Sequence, residues 1–187
     1  MKYVKKSYTT GLMILVFSIV VSAQGSLSSV EKDQLKGLEN ASKAYVKMRN
    51  EVENGLPKLT AKATPEQIEA HQTALLKRMQ LLRKGIPQGT IFTPESASVI
   101  RSIISRELKL ADKTDLRTKA ASAGGDVPIA VNIEYPESKE VLEMPPSLLI
   151  ALPQLPKELR YRFAGNTLLL MDVGNRMIID YLPNALR

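Results

Sequence analysis

The C-terminal segment from 159 onward constrains the fold of this chain most strongly, because two glycine-asparagine pairs interrupt its apolar residues. Gly165-Asn166 and Gly174-Asn175 each fit a two-residue hairpin turn, in which glycine at the first position suits the type II′ geometry. If both turns form, Phe163 pairs with Leu168, and Leu168 pairs with Tyr181. The segment therefore predicts a three-stranded antiparallel meander with a fixed register.

This register gives the predicted sheet one apolar face and one mixed face. The apolar face collects Leu159, Tyr161, Phe163, Leu168, Leu170, Met177, Ile179 and Tyr181. The mixed face collects Arg160, Arg162, Leu169, Met171, Ile178 and Asp180. Only the middle strand, 167–173, is apolar on both faces, which is typical of a central strand.

Three helices are predicted before the sheet, because apolar residues recur at spacings of three and four over 30–53, 64–84 and 93–108. The second helix has the clearest start, since Thr64 suits the N-cap, Pro65 the first helical position and Gln67 the capping box. The predicted buried stripes are Leu38, Ala41, Tyr45, Met48 and Val52, then Ile68, Leu75, Leu76, Met79 and Leu82, then Ala97, Ile100, Ile103, Ile104 and Leu108. A short fourth helix over 113–121 has little apolar pattern.

Alternation replaces the helical spacing after Gly124-Gly125, which is interpreted as a linker. Apolar residues alternate with polar or small ones from Val127 to Tyr135, which predicts a strand that ends at Pro136. Pro145-Pro146 then opens a short helical turn.

The order of these elements predicts an α+β fold. N-terminal antiparallel helices within 24–122 pack with a C-terminal antiparallel β-meander within 123–187. Few residues are aromatic, so an aliphatic core is expected. The two regions are expected to form one compact mature domain, 30–187, whose roughly 160 residues suffice for one core.

The first 23 residues have the organisation of a bacterial-type secretory signal peptide. Three lysines give a positive start, and an apolar run follows over 12–21. This run is about half of the ~20 residues that a membrane-spanning helix needs, which favours cleavage over a permanent anchor. The small residues before Gln24 suit signal peptidase. We therefore expect cleavage between Ala23 and Gln24, and a protein in the periplasm or outside the cell.

The net charge and the absence of cysteine limit the kinds of partner and of membrane attachment that this chain can have. The chain has 26 basic and 19 acidic residues, and loss of the three signal lysines leaves a net charge of +4. This charge permits weak contact with anionic surfaces. Export and scarce aromatic residues argue against a nucleic-acid partner. The absence of cysteine excludes disulfide bonds and a lipid-anchored cysteine, and no integral membrane span is expected after cleavage.

Candidate catalytic and metal-binding residues are few. His71 is the only histidine and has no ligand cluster at metal-binding spacing, so it is interpreted as a partly buried polar contact. Asp172 with Asp180, and Glu134 with Glu137, are possible acid–base pairs. In the predicted register, however, Asp180 points away from Asp172, which is interpreted as a turn-end residue. No catalytic residue, metal ligand or cofactor is therefore assigned.

The second and third helices carry a possible anion-binding patch. Its members are Arg78, Arg83, Lys84, Arg101, Arg106 and Lys109. Acidic residues are interspersed among them, which favours an ordinary solvated helix surface.

Two segments carry a resemblance to known proteins. The first combines 71–75 (His-Gln-Thr-Ala-Leu) with 88–95 (Gln-Gly-Thr-Ile-Phe-Thr-Pro-Glu), and the second combines 161–165 (Tyr-Arg-Phe-Ala-Gly) with 178–180 (Ile-Ile-Asp). Together they resemble a family of uncharacterised exported bacterial proteins, which implies export and assigns no activity. The final hairpin is also similar, more loosely, to one in small periplasmic proteins linked to nickel and cobalt homeostasis.

These features predict a non-enzymatic binding or structural module of the cell envelope, with a protein or envelope partner that the sequence does not specify. Two alternatives stay open. One is a periplasmic metal-homeostasis protein, which the loose hairpin similarity suggests. The other is a carboxylate-based hydrolase assembled from residues distant in sequence.

Overall fold

Helices precede a three-stranded sheet in the computed structural model, which describes residues 27–124 and 127–187. The helices are α1 (Ser29–Asn54), α2 (Pro65–Leu82), α3 (Pro94–Glu107), α4 (Leu110–Gly124) and α5 (Pro146–Ala151), and the strands are β1 (Leu159–Ala164), β2 (Thr167–Asp172) and β3 (Ile178–Leu182). The α+β fold class predicted from the sequence is confirmed. The predicted signal peptide, 1–23, and Gly125 of the predicted linker lie outside the described residues.

The helix starts follow their local sequence. At α2, Thr64 Oγ1 accepts from the Gln67 N–H at 3.3 Å, and Gln67 Oε1 accepts from the Thr64 N–H at 3.0 Å, which confirms the predicted capping box. Ser28 caps α1 in the same way, and Thr93 caps α3. Local hydrogen bonds thus define where each of these helices begins.

One apolar core joins the helices to the sheet. Leu38, Met79, Ile100, Phe163 and Leu170 come from five elements and are each 0% exposed. All five residues of the predicted α3 stripe are buried, so this stripe is confirmed. The core therefore rests on aliphatic packing contributed by both halves of the chain.

The apolar stripe predicted for α2 is wrong at both ends. Ile68 and Leu82 are 39% and 58% exposed, whereas Arg83 is only 4% exposed. Arg83 turns inward because internal acceptors are in place for it. Its Nη2 donates to Ile179 O and its Nε donates to Asn132 Oδ1, both at 2.7 Å.

The first predicted turn is confirmed and the second is partly wrong. Phe163 pairs with Leu168, but Leu168 pairs with Leu182 instead of Tyr181. A β-bulge causes the shift, because Leu170 pairs with Asp180 while the next residue of β2 pairs with Ile178. Tyr181 consequently packs on the smaller apolar cluster behind the sheet.

The strand predicted over 127–135 does not form. Its alternating burial is present, but Asn132 adopts a left-handed φ of 66°, which breaks the extended run. The segment still lies along β3, where the Asn132 N–H donates to Ile178 O at 2.7 Å. It therefore covers the edge of the sheet without becoming a regular strand.

Candidate functional site

A buried chain of polar contacts joins α1 to the turn after β2. Asp172 is 0% exposed, and its Oδ2 accepts from Tyr45 Oη and from Arg49 Nε, both at 2.8 Å. Arg49 Nη1 also donates to Glu53 at 2.7 Å. We call Tyr45, Arg49, Glu53 and Asp172 the Asp172 network. Asp172 makes the contact expected of a turn-end residue, because its Oδ1 accepts from the Gly174 N–H at 2.9 Å. It also neutralises the buried cation Arg49.

The charges in the Asp172 network stabilise one another. Burial lowers the pKa of Arg49, but the charges of Asp172 and Glu53 outweigh this effect and raise it overall. Burial and the charge of Asp172 raise the pKa of Tyr45 far above its ordinary value. Arg49 therefore stays charged and Tyr45 stays neutral, so both act as fixed hydrogen-bond donors.

The packing of Arg49 against Gly174 leaves no room for a side chain at this position. A Cβ at this position would lie 2.5 Å from Arg49 Nη2, so any larger residue displaces the guanidinium. The left-handed φ in this turn belongs to Arg176, at 55°, and not to Gly174. The type II′ geometry predicted from Gly174-Asn175 is therefore wrong.

Asp180 is also fully buried, and main-chain donors hold it. Its carboxylate accepts N–H groups from Gly89, Ile91 and Phe92 at 2.9, 2.7 and 2.8 Å. The φ of Gly89 is +85°, a conformation that favours glycine. We call Asp180 with 89–92 the Asp180 clamp. The prediction that Asp180 lies on the mixed outer face is wrong, because the bulge and this loop enclose it.

The two segments from which a family resemblance is predicted meet in the Asp180 clamp. The first contributes the 89–92 loop, and the second contributes Asp180 at its end. Gln88 Nε2 adds a bond to Tyr181 O at 3.0 Å. These contacts have a structural role, because they hold the loop before α3 against β3.

Arg83 is a second buried cation, and it contacts the Asp172 network through Tyr45. Its guanidinium lies 5.1 Å from the centre of the Tyr45 ring, a cation–π contact. Burial lowers the pKa of Arg83 overall, and the charge of Asp180 offsets part of this effect. Arg49 and Arg83 thus balance Asp172 and Asp180 in the interior. Arg49 and Arg83 both fall at helical spacing on a buried face, which is the sequence signal that could have revealed them.

His71 borders an apolar cavity of 330 Å³ between α2 and the loop before it. Its Nδ1 lies 3.1 Å from Pro57 O, and its Nε2 lies 3.7 Å from Glu53 Oε1. Because a carbonyl only accepts, Nδ1 carries the proton. Within the described residues, no group of three His, Cys, Asp or Glu side chains is placed to hold a metal ion.

Two depressions flank the turn after β2. The acidic depression, of 390 Å³, is bordered by Glu69, Gln72, Thr73, Leu76, Glu134, Glu137, Val173, Gly174, Asn175 and Arg176. The arginine groove, of 280 Å³, is bordered by Val141, Glu143, Arg160, Arg162, Met171, Asp172, Val173 and Arg176. The structure thus places Glu134 and Glu137 in one depression, and three arginines in the other.

Arginines of the possible helix patch bind distant parts of the same chain instead. Arg78 donates to Gly55 O at 3.1 Å, Arg101 donates to Pro183 O at 3.1 Å, and Arg106 pairs with Glu31 at 3.4 Å. With Arg83 buried as well, four of the six predicted members have an internal partner. The convergence of Arg160, Arg162 and Arg176 was missed, because it depends on a turn conformation that the sequence does not specify.

Comparison with known proteins provides no relative from which to transfer a function. No family model, no curated protein and no solved structure matches this chain. Across 27–124 and 127–187, no helix combines the length and the apolar composition that crossing a membrane requires.

Proposed function

We propose that this protein is an exported, non-enzymatic module that binds a partner of the cell envelope through the arginine groove. Export rests on the signal-like organisation of residues 1–23. One observation carries the binding proposal. The buried carboxylates of Asp172 and Asp180 accept hydrogen bonds from donors within the protein, whereas three arginines border a groove that is open to solvent.

The buried aspartates support a non-enzymatic role. An acid–base catalyst has to reach the proton that it transfers, within hydrogen-bond distance of the substrate. Asp172 and Asp180 are each 0% exposed and already accept bonds from protein donors. They are therefore suited to hold the fold rather than to act on a ligand.

A hydrolase would need exposed carboxylates, and the pair Glu134 and Glu137 borders the acidic depression together with Glu69. If the enzymatic alternative is correct, a general chromogenic substrate panel should reveal a hydrolytic activity that both Glu134→Gln and Glu137→Gln abolish. Such a result would replace the binding proposal. The metal-homeostasis alternative has no ligand set among the described residues.

Two experiments test the proposal. Mass spectrometry of the protein from the cell envelope should give an N-terminus at Gln24, and the uncleaved chain in the cytosol would contradict export. A photoreactive residue in place of Val173, which is 48% exposed and borders both depressions, should cross-link an envelope component, and Arg162→Gln, which alters only the groove, should abolish this labelling. The same residue in place of Lys32, which is exposed on α1, is the control. Equal labelling from both positions, or none, would contradict binding at the groove.

A further inference from the structure

We propose that the arginine groove is a phosphate-binding site. This inference rests on the proposed function and specifies the chemistry of the ligand. Three guanidinium groups, from Arg160, Arg162 and Arg176, border a depression of 280 Å³. Of the two acids that also border it, Glu143 is exposed and Asp172 is buried and paired with Arg49, while Arg176 lies on the border shared with the acidic depression. Clusters of arginine that bind phosphate through paired N–H donors are a common recognition mode.

Strand β1 sets the spacing of the first two arginines. Arg160 and Arg162 alternate along this edge strand, so both lie on the side opposite to Tyr161. Burial lowers the pKa of Arg162, Glu143 raises it, and the like charge of Arg160 lowers it further. The two guanidinium groups therefore repel each other, and an anion between them would relieve that repulsion.

Arg176 is held in place by the segment that covers β3. Its Nε donates to Tyr135 O at 2.9 Å, and its Nη2 donates to Pro136 O and Lys139 O at 2.9 and 3.1 Å. Its guanidinium also lies 5.8 Å from the centre of the Tyr135 ring. These contacts fix the arginine before any ligand arrives, which lowers the entropy cost of binding.

Donors remain available at the groove. Arg160 Nη1 donates to two nearby main-chain carbonyls and Arg162 Nη1 donates to one, while Arg162 Nη2 donates to Glu143 at 3.4 Å. In the described part of the chain, the Nε groups of Arg160 and Arg162 and Nη1 of Arg176 have no acceptor. Each arginine thus keeps at least one N–H group for a ligand.

Phosphate fits this set of donors better than a carboxylate does. A phosphate group presents more than two oxygens and nearly two negative charges, which suits donors arriving from three side chains. Glu143 is a built-in competitor, because its side chain is 83% exposed and pairs only weakly with Arg162. A phosphate would displace this carboxylate into solvent at little cost.

The test uses inorganic phosphate and titration calorimetry on the purified protein. Arg162→Gln should weaken binding about tenfold, as expected for the loss of one charge-assisted donor. Glu143→Gln should strengthen binding, because it removes the competing carboxylate. Arg106→Gln is the matched control, since it removes the same charge from α3 and should change the affinity less than about twofold. Urea unfolding of each variant checks that the fold is intact.

A second arm identifies the source of the phosphate. Vesicles containing phosphatidic acid are compared with pure phosphatidylcholine vesicles in a flotation assay, using the same variants. Binding to free phosphate indicates a soluble ligand, and Arg162-dependent binding to phosphatidic acid alone indicates a lipid headgroup.

Absence of binding in both arms, or equal losses in Arg162→Gln and Arg106→Gln, would overturn the phosphate site. A component that lacks phosphate but cross-links from Val173 would also overturn it, while leaving the proposed function intact.

Discussion

The two buried aspartates of the β2–β3 hairpin replace their lost contacts with water in different ways. Asp172 pairs with side chains from α1, one of which is the cation Arg49. Asp180 receives main-chain N–H groups from the 89–92 loop. Both are 0% exposed, so each needs full compensation for the loss of water.

The difference in donors determines how each contact can fail. A side-chain donor has rotamer freedom and can find another acceptor, and Arg49 already has Glu53 as a second one. A main-chain donor cannot move without distorting the loop. The Asp180 clamp should therefore tolerate substitution less well than the Asp172 network does.

The largest effect is expected from Asp180→Asn. Each oxygen of Asp180 accepts two main-chain N–H groups, Oδ1 from Gly89 and Tyr181 and Oδ2 from Ile91 and Phe92. Whichever way the new amide turns, its NH₂ group leaves one of these pairs without an acceptor, at a cost of about 4 kcal/mol. Asp172→Asn should cost about 2 kcal/mol, because Tyr45 can still donate and Arg49 retains Glu53. Urea unfolding of the two variants measures both values. The reverse order would contradict the contrast between the two sites.

Two glycine substitutions, one beside each aspartate, should give smaller losses of stability that differ in their cause. Gly89→Ala should cost about 1–2 kcal/mol, because alanine is strained at the φ of this position. Gly174→Ala should cost a similar amount, but through a clash with Arg49. In an Arg49→Leu background the cost of Gly174→Ala should disappear, whereas that of Gly89→Ala should persist. A double-mutant cycle tests this, and persistence of both costs would refute the spatial explanation.

Alkaline pH should weaken the Asp172 network through Tyr45. Burial and Asp172 raise the pKa of Tyr45 in the folded protein above its ordinary value of 10.0. The associated stability is therefore complete below pH 10 and is lost as the pH rises, because the unfolded chain ionises first. Tyr45→Phe should cost about 1 kcal/mol at neutral pH and flatten the alkaline decline. Urea midpoints above pH 10 test this, with Tyr181→Phe as the control. An unchanged decline in Tyr45→Phe would contradict it.

Lowering the pH should produce the smallest effect on stability, by protonating the glutamates in the first turns of three helices. The pKa of Glu31 is lowered by the N–H of Ser28, that of Glu66 by Thr64, and that of Glu95 by its own N–H. Their contribution is present above the ordinary value of 4.5 and is lost as the pH falls. Replacing all three by Gln should reduce the loss of stability between about pH 5 and about pH 3. An identical loss in both proteins would rule out the helix starts as its source.

Local patterns in the sequence predicted most of the architecture. The Thr64 capping box, the α3 stripe and the Gly165 turn depend on neighbours within a few residues, so the sequence contains their cause. Phe163 and Leu168 were paired correctly for the same reason.

The candidate site was much less predictable. The bulge in β3 changes the partner of Leu168, and a period-two pattern carries no signal for an inserted residue. Arg83 replaces Leu82 on the buried face because Asn132 and Ile179, distant in sequence, provide acceptors. Such contacts depend on tertiary geometry and not on local spacing.

Native-state hydrogen exchange of the Ile91 and Phe92 amides tests the Asp180 clamp most directly. We expect both amides to exchange only through global unfolding, as slowly as the amide of Leu170, and to lose this protection in Asp180→Ala, which removes both acceptor oxygens. Exchange as fast as that of the Lys58 amide, in the exposed loop before α2, while Leu170 stays protected, would show that Asp180 does not fix the loop to the sheet.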